Sequence, residues 1–406
     1  MWSSALPAGS RLVHVLLAAT MAAPPLLVLA DSDEWRLYYG IMVLALTGLC
    51  AVFLMGHFRL DTMMRSAGLF LLIAVPPELS LLVNEYDEPR LAKILAVVGL
   101  YAIIGPLALH RPPDRTYPSL FGLTTLFLVI TTLLVLGISA NSPEIGVILS
   151  DRRSSFDLEQ MGLHPNYGGL LATAIAVSAC GQASLRWRGA ILFFCIFVCW
   201  LMESRGGLLG MGFAFAVGHA CRSFLTKAAK GKAARLSAWG GAACGVAVLL
   251  SIVYGAQIAA FISEDFLLLD DRSRGLDSGF SGRTEVWQEA WEQWRSHPVF
   301  GLGFLRDLEQ GGVEDLNRAH NLALTLLSET GLLGLLGFLG FSVWGAVNGL
   351  RLSRRGQAAA ASTIISAVTV YWVYGIFEGL SINVGNPLSA IFFLVVFASA
   401  AGEAES

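Results

Sequence analysis

Long apolar runs, broken by short polar intervals, set the organisation of this chain. A helix that crosses a bilayer needs ~20 mostly apolar residues, and about twelve stretches meet or approach that length. Their approximate cores are 12–30, 38–56, 66–83, 91–109, 119–139, 164–181, 189–202, 206–220, 237–261, 320–348, 358–378 and 383–402. The seventh and eighth are short and almost directly joined, which predicts a tight helical hairpin. The tenth is long enough to tilt or to extend beyond the lipid. The first lacks a small-residue cleavage pattern and reads as a retained helix rather than a signal peptide. Pro76-Pro77-Glu78 interrupts the third, predicting a kink with an acid beside it.

Two polar intervals stand out. One runs from Ala140 to Leu163 and carries Asp151, Arg152 and Arg153 before the motif HPNYGG, His164 to Gly169. The other, roughly Ser263 to Ala319, is larger and begins acidic and Gly/Ser-punctuated. Its stretch RTEVWQEAWEQW, Arg283 to Trp294, puts Trp287, Trp291 and Trp294 on one face of an amphipathic helix. Such a face lies against the membrane surface or the bundle; stacking on a sugar is the sharper alternative. HPVFGLGF, His297 to Phe304, reads as a turn-rich return. The expected division is a scaffold of five spans over 1–139, spans six to nine with their motif loops over 140–261, a polar loop over 262–319, and three spans over 320–406. No repeat or soluble domain stands out.

Composition agrees with this pattern. At 55% hydrophobic and 14% charged over 406 residues, the chain reads as an all-α, polytopic membrane protein. The loops that fall on one side hold Arg59, Arg65, Arg111, Arg115, Arg186, Arg188, Arg222, Lys227, Lys230, Lys232, Arg235, Arg351, Arg354 and Arg355, against only Asp61 and Asp114. That bias places both termini and the basic loops in the cytoplasm and the large polar loop outside. The basic run from Arg222 to Arg235 is a topology signal or a contact for anionic membrane lipids. No nucleic-acid partner is expected. The six cysteines, Cys50, Cys180, Cys195, Cys199, Cys221 and Cys244, lie in or at the ends of spans without a C-x-x-C pair. They suggest packing, not a disulfide framework or a metal site.

Four polar motifs recur at one kind of place, the outer start of a helix: His164-Pro165-Asn166, Arg205-Gly206, Arg283-Thr284 and His320-Asn321. A helix N-terminus offers unpaired N–H groups and partial positive charge. An Arg there opposes the dipole unless an anion lies between them. Two arginines and two histidines at such starts suggest a phosphate or diphosphate ligand. Metal chemistry is not expected: there is no H-E-x-x-H, and only His164, His297 and His320 fall in outer loops. His320 is the best-placed general base; the plainer reading is that His320-Asn321 caps a helix. Arg205 has its own plain reading, an interfacial side chain snorkelling to water. Glu78, Glu329 and Glu378 are acids within or at the ends of apolar runs, and such groups are costly unless they face protein or a water-filled cavity. They leave a transporter or flippase as a reading from another class.

The motifs HPNYGG, ESRGGLLG, RTEVWQEAW…HPVFGLGF and AHNLALTLLSETGLLG, in that order over roughly Gly162 to Phe341, resemble the bacterial O-antigen ligase family. That family shares a domain type with O-antigen polymerases and some protein O-oligosaccharyltransferases. The resemblance implies a GT-C-like glycosyltransferase of about twelve spans in the bacterial inner membrane, with its active site facing the periplasm. It implies an undecaprenyl-diphosphate-linked glycan as donor, lipid A–core of lipopolysaccharide as acceptor, inversion at the anomeric carbon and no metal or other cofactor. By motif, His320 would activate the acceptor hydroxyl, and Arg205 and Arg283 would hold the diphosphate. His164, Asn166, Arg152, Arg153 and Asn321 are further substrate-binding candidates. A polymerase or protein O-oligosaccharyltransferase is the alternative within the same superfamily.

Overall fold

The computed structural model describes residues 8–30, 35–54, 59–85, 88–109, 113–140, 156, 166–181, 185–225, 283–305, 320–376, 378, 380, 382 and 385–403. The ninth apolar run (237–261), His164, Arg152, Arg153 and most of the large polar interval lie outside the described residues. Among those described, the regular structure is helical apart from one isolated bridge between Ala140 and Phe156, both within the first polar interval.

The helices follow the apolar runs. They are α1 (Ala8–Ala22), α2 (Pro24–Ala30), α3 (Trp35–Leu54), α4 (Leu60–Val83), α5 (Pro89–Ala108) and α6 (Pro113–Ser139). After the first polar interval come α7 (Tyr167–Ala179), α8 (Leu185–Leu201) and α9 (Arg205–Leu225). The amphipathic stretch is α10 (Arg283–Ser296), and the chain closes with α11 (Leu322–Arg354), α12 (Ala358–Tyr374), α13 (Pro387–Ala398) and a 3₁₀ turn, Ser399–Glu403. The first apolar run divides at Ala23 because Pro24 and Pro25 lack the N–H groups that would continue α1. Leu27 N–H still donates to the Ala23 carbonyl, so α2 follows without a gap. The expected hairpin forms: only residues 202–204 separate α8 from α9, and the two helices pack together.

Among the described residues, four helices are long and apolar enough to cross a membrane: Leu60–Val83, Arg90–Ala108, Thr116–Ser139 and Leu322–Arg354. Five shorter apolar helices accompany them. The exposure pattern reverses that of a water-soluble bundle. On α6, Leu126, Ile130, Leu133, Leu134 and Ile138 are exposed, while Thr124, Thr125, Thr131 and Thr132 face inward. On α11, Leu332, Leu336, Val343, Val347 and Leu350 form a similar outward row. In hydrocarbon, outward leucines cost nothing, and small hydroxyl residues let helices approach while bonding their own backbone. Thr124, Thr125 and Thr132 each donate to the carbonyl four residues earlier. The chain is a multi-pass membrane protein.

Helix α13 is the centre of the bundle, with all its residues from Pro387 to Ala398 buried. It packs on α5, α12, α7 and α11. Asn386 caps it by accepting from Ser389 N–H at 2.8 Å, and Pro387 takes the first helical position, where a missing N–H costs nothing. An aromatic cluster joins the three last helices. Tyr371 of α12 stacks on Phe392 of α13 with centroids 4.0 Å apart. Phe341 of α11 meets Phe397 edge-on at 5.0 Å, the other arrangement that ring quadrupoles favour. Cys195 and Cys199 are fully buried, and Cys195 Sγ lies 3.3 Å from the Ala172 carbonyl of α7, so this i, i+4 pair packs α8 onto its neighbour.

Two expectations are refined by the backbone. Helix α4 runs through Pro76 and Pro77, both buried, and leaves Glu78 exposed. Pro76 cannot bond the Leu72 carbonyl, and Gly337 of α11 lies directly against that freed oxygen. The tenth run is broken at Gly331, whose φ is 66°. Combined with its extended ψ, that conformation is open only to glycine. The turn after α10 fills this break. Leu332 and Leu333 N–H donate to the Pro298 and Val299 carbonyls at 2.9 and 3.2 Å. Leu302 and Gly303 N–H donate in return to the Ser328 and Glu329 carbonyls at 2.8 and 3.2 Å. HPVFGLGF is therefore a turn, as its composition predicts, and its backbone replaces the hydrogen bonds lost at the break. Glu329 is buried beside it within protein.

Candidate active site

All four sequence motifs stand at helix starts: Asn166 directly precedes α7, Arg205 opens α9, Arg283 opens α10, and His320-Asn321 precedes α11. Three of these starts meet at one end of the bundle, through a chain of close contacts. The crossing of α7 and α9 is made of glycines. A Cβ on Gly169 would overlap the Ser204 hydroxyl, and one on Gly207 would press on the Gly169 Cα. Thr173 of α7 and Tyr374 of α12 close in on Gly210 from two sides. The turn before Arg205 is tight, with Glu203 at φ 50° and Ser204 N–H donating to the Cys199 carbonyl at 2.8 Å. Ser204 Oγ then accepts from Gly207 N–H at 3.2 Å. This caps α9 and sets Arg205, half-buried, in its first turn.

The third start joins through the end of α12. Leu322 N–H donates to the Gly375 carbonyl, and Asn321 Nδ2 donates to the Ile376 carbonyl at 3.3 Å. Asn321 is the cap of α11: its Oδ1 accepts from Ala323 and Leu324 N–H at 3.0 and 3.1 Å. The capping role read for the pair thus falls to Asn321 alone, whose side chain is engaged with backbone. His320 stands one residue outside the helix with a φ of 41°, a left-handed conformation uncommon for residues other than glycine. Its ring turns toward the segment after α12 instead.

That segment carries a residue the motifs do not include. Glu378 Oε2 lies 3.8 Å from His320 Nδ1, while Oε1 accepts from Asn166 Nδ2 at 2.9 Å. The first distance is too long for a hydrogen bond. One carboxylate therefore links the start of α7 to the start of α11. Sequence reading notes Glu378 only as an acid at the end of an apolar run. The signal that singles it out is a contact between residues far apart in the chain, and no local pattern contains it. Its backbone is tied down from several sides. Tyr371 hydroxyl donates to the Leu380 carbonyl at 3.1 Å, and Tyr167 hydroxyl donates to the Gly385 carbonyl at 3.2 Å.

Helix α10 is fixed to the bundle at its far end, by the turn that fills the α11 break and by Trp294 Nε1–H donating to the Pro298 carbonyl at 3.1 Å. Its most buried position is Ala290; Trp291 is exposed and packs on Trp294 with centroids 4.5 Å apart. The tryptophan face is thus shared between bundle and surroundings. Of Arg283 the structure describes the backbone position, at the start of α10. Among the described residues, no three His, Cys, Asp or Glu side chains gather as a metal ion would require.

The arrangement presents a half-buried Arg, a reachable His and the N-termini of α7, α9 and α11 at one end of the bundle. Positive helix ends and a guanidinium suit an anion, and the imidazole can exchange a proton with a neighbouring hydroxyl. No curated protein matches the chain. Residues 189–339 match the family model described as O-antigen ligase. The matched stretch runs from α8 into α11 and includes Arg205, Arg283 and His320, while Asn166 and Glu378 lie outside it. On that match, the segment from α8 into α11 is similar to the O-antigen ligase family.

Proposed function

We propose that this protein is an O-antigen ligase: it transfers a glycan from an undecaprenyl diphosphate carrier to a sugar hydroxyl of lipid A–core, on the periplasmic side of the inner membrane. The observation that carries this reading is the meeting of Asn166, Arg205 and His320 at one end of the bundle. His320 takes the proton from the acceptor hydroxyl as its oxygen attacks the anomeric carbon from the face opposite the carrier. The new C–O bond forms with inversion while the bond to the diphosphate breaks, and its electron pair leaves with the lipid diphosphate. Arg205 and Arg283, with the helix ends, neutralise the charge that grows on the leaving group. Holding donor and acceptor together removes much of the entropic barrier, and no step calls for a metal ion.

A polymerase of the same superfamily would use the same groups and differ only in its acceptor. One dominant polar interval, 263–319, favours the ligase. A transporter would use a broken helix to line a cavity. Here the break in α11 is filled by backbone from 298–303, which favours an enzyme.

Disruption of the gene tests the proposal. Lipid-linked glycan of full length should persist while lipopolysaccharide loses its long chain. Lipopolysaccharide capped with a single repeat unit would point to a polymerase. Donor trapped on the cytoplasmic face would point to a flippase. Either result would overturn the ligase assignment.

A further inference from the structure

Glu378 meets both Asn166 and His320 and lies outside the matched family stretch. Resting on the transferase reading above, we infer that Glu378 is the positioning residue for His320, and that Asn166 holds its carboxylate in place. Three observations meet there. Glu378 Oε2 faces His320 Nδ1, not Nε2. Glu378 Oε1 accepts from the Asn166 amide at 2.9 Å, which ties that carboxylate to the start of α7. The left-handed backbone at His320 turns the ring out of the α11 axis and toward the segment after α12. The imidazole is 28% exposed and the carboxylate 18%, so the ring is the more open of the two to an incoming hydroxyl.

The consequence is chemical. A neutral imidazole carries one proton, and the negative carboxylate 3.8 Å from Nδ1 favours that nitrogen for it electrostatically, without a hydrogen bond. The lone pair is then on Nε2, which receives the acceptor hydroxyl proton as the C–O bond forms. Glu378 neither gains nor loses a proton in this step; it stabilises the imidazolium that results. The proton afterwards leaves Nε2 for solvent or the departed diphosphate, which restores the starting tautomer. Asn166 acts one step further out. It donates to Glu378 as a second partner of the kind that orients a ligand or base.

Glu378→Gln is the decisive substitution. It keeps shape and an oxygen for Asn166 but presents an N–H to Nδ1, which moves the imidazole proton to Nε2. Single-turnover transfer from purified lipid-linked donor to lipid A–core should fall by ~10²–10⁴-fold, as when a base loses its orienting carboxylate. Binding of a short-chain polyprenyl diphosphate, used as donor probe, should stay within about threefold because the diphosphate contacts are intact. In a His320→Ala background, Glu378→Gln should cost nothing further, since two residues acting as one unit are not additive. Asn166→Ala should give a smaller loss, again absent without His320, and serves if Glu378→Gln does not fold. Nitrogen-15 spectra of the histidine ring, assigned by the signal lost in His320→Gln, read the tautomer without reference to transfer. They should report Nδ1–H in the native protein and Nε2–H in Glu378→Gln. The inference is overturned if Glu378→Gln transfers at the native rate, if its loss multiplies with that of His320→Ala, or if the tautomer is the same in both proteins. Because the spectra need no substrate, failure of the transferase reading and failure of this pairing are told apart.

Discussion

Gly207 of α9 lies against Gly169 of α7 so closely that a Cβ there would sit 2.6 Å from the Gly169 Cα and 2.8 Å from Cys199 Sγ. This crossing sets the turn at Ser204, and with it Arg205, beside the start of α7. Backbones meet here because neither residue has a side chain, the usual way helices gain close contact in lipid. Gly207→Ala should therefore cost ~1–3 kcal/mol through overpacking. Thermal unfolding in detergent should show a lower midpoint. An unchanged midpoint would mean that the crossing is looser than described.

The break in α11 yields a second expectation. Gly331 has a φ of 66° and meets the Val299 backbone with no space for a Cβ. Gly331→Ala combines backbone strain of ~1–3 kcal/mol with loss of the turn at 298–303 from its seat. Limited proteolysis should then cut at 297–305 faster than in the native protein. Equal protection in both proteins would contradict the role given to this residue.

Much of this architecture is legible in the sequence, and what is missed has one physical cause. The runs of apolar residues mark the helices because burial in lipid or protein rewards length and hydrophobicity directly. Asn321 marks a helix start because its chemistry acts within a turn of its own position, whereas the run 12–30, read as one span, divides before Pro24. The break at Gly331 does not show, because Leu332 and Leu333 continue the apolar run and their backbone partners, Pro298 and Val299, are supplied from across the chain. Glu378 is hidden for the same reason. Asn166 is 212 residues away and His320 lies at the start of another helix, so their meeting is a tertiary fact. The helix starts that carry the motifs are legible, and three of the four come together at one end of the bundle.

The charge asymmetry predicts an orientation that can be tested at described positions. In a background without native cysteines, Ser296→Cys at the exposed end of α10 should react with an impermeant maleimide added outside. Arg355→Cys, exposed just beyond α11, should react only after permeabilisation. The reverse pattern would invert the topology and place the candidate site in the cytoplasm.

The arginines should act on donor binding. Arg205→Ala and Arg283→Ala each remove a charge-assisted, fork-shaped donor, a contact whose loss costs ~1.5–3 kcal/mol. Affinity for a polyprenyl diphosphate should drop by about tenfold or more, with Arg→Lys the milder change because charge survives without the fork. Native affinity in both Ala variants would remove the diphosphate from this end of the bundle.

The base assignment is the centre of the account, and one measurement bears on it most directly: single-turnover transfer by His320→Ala, in protein shown to be folded and still able to bind polyprenyl diphosphate. General-base help is worth ~10²–10⁴ in rate. The account predicts a loss of that size with donor binding retained. Transfer at the native rate by folded His320→Ala would contradict it.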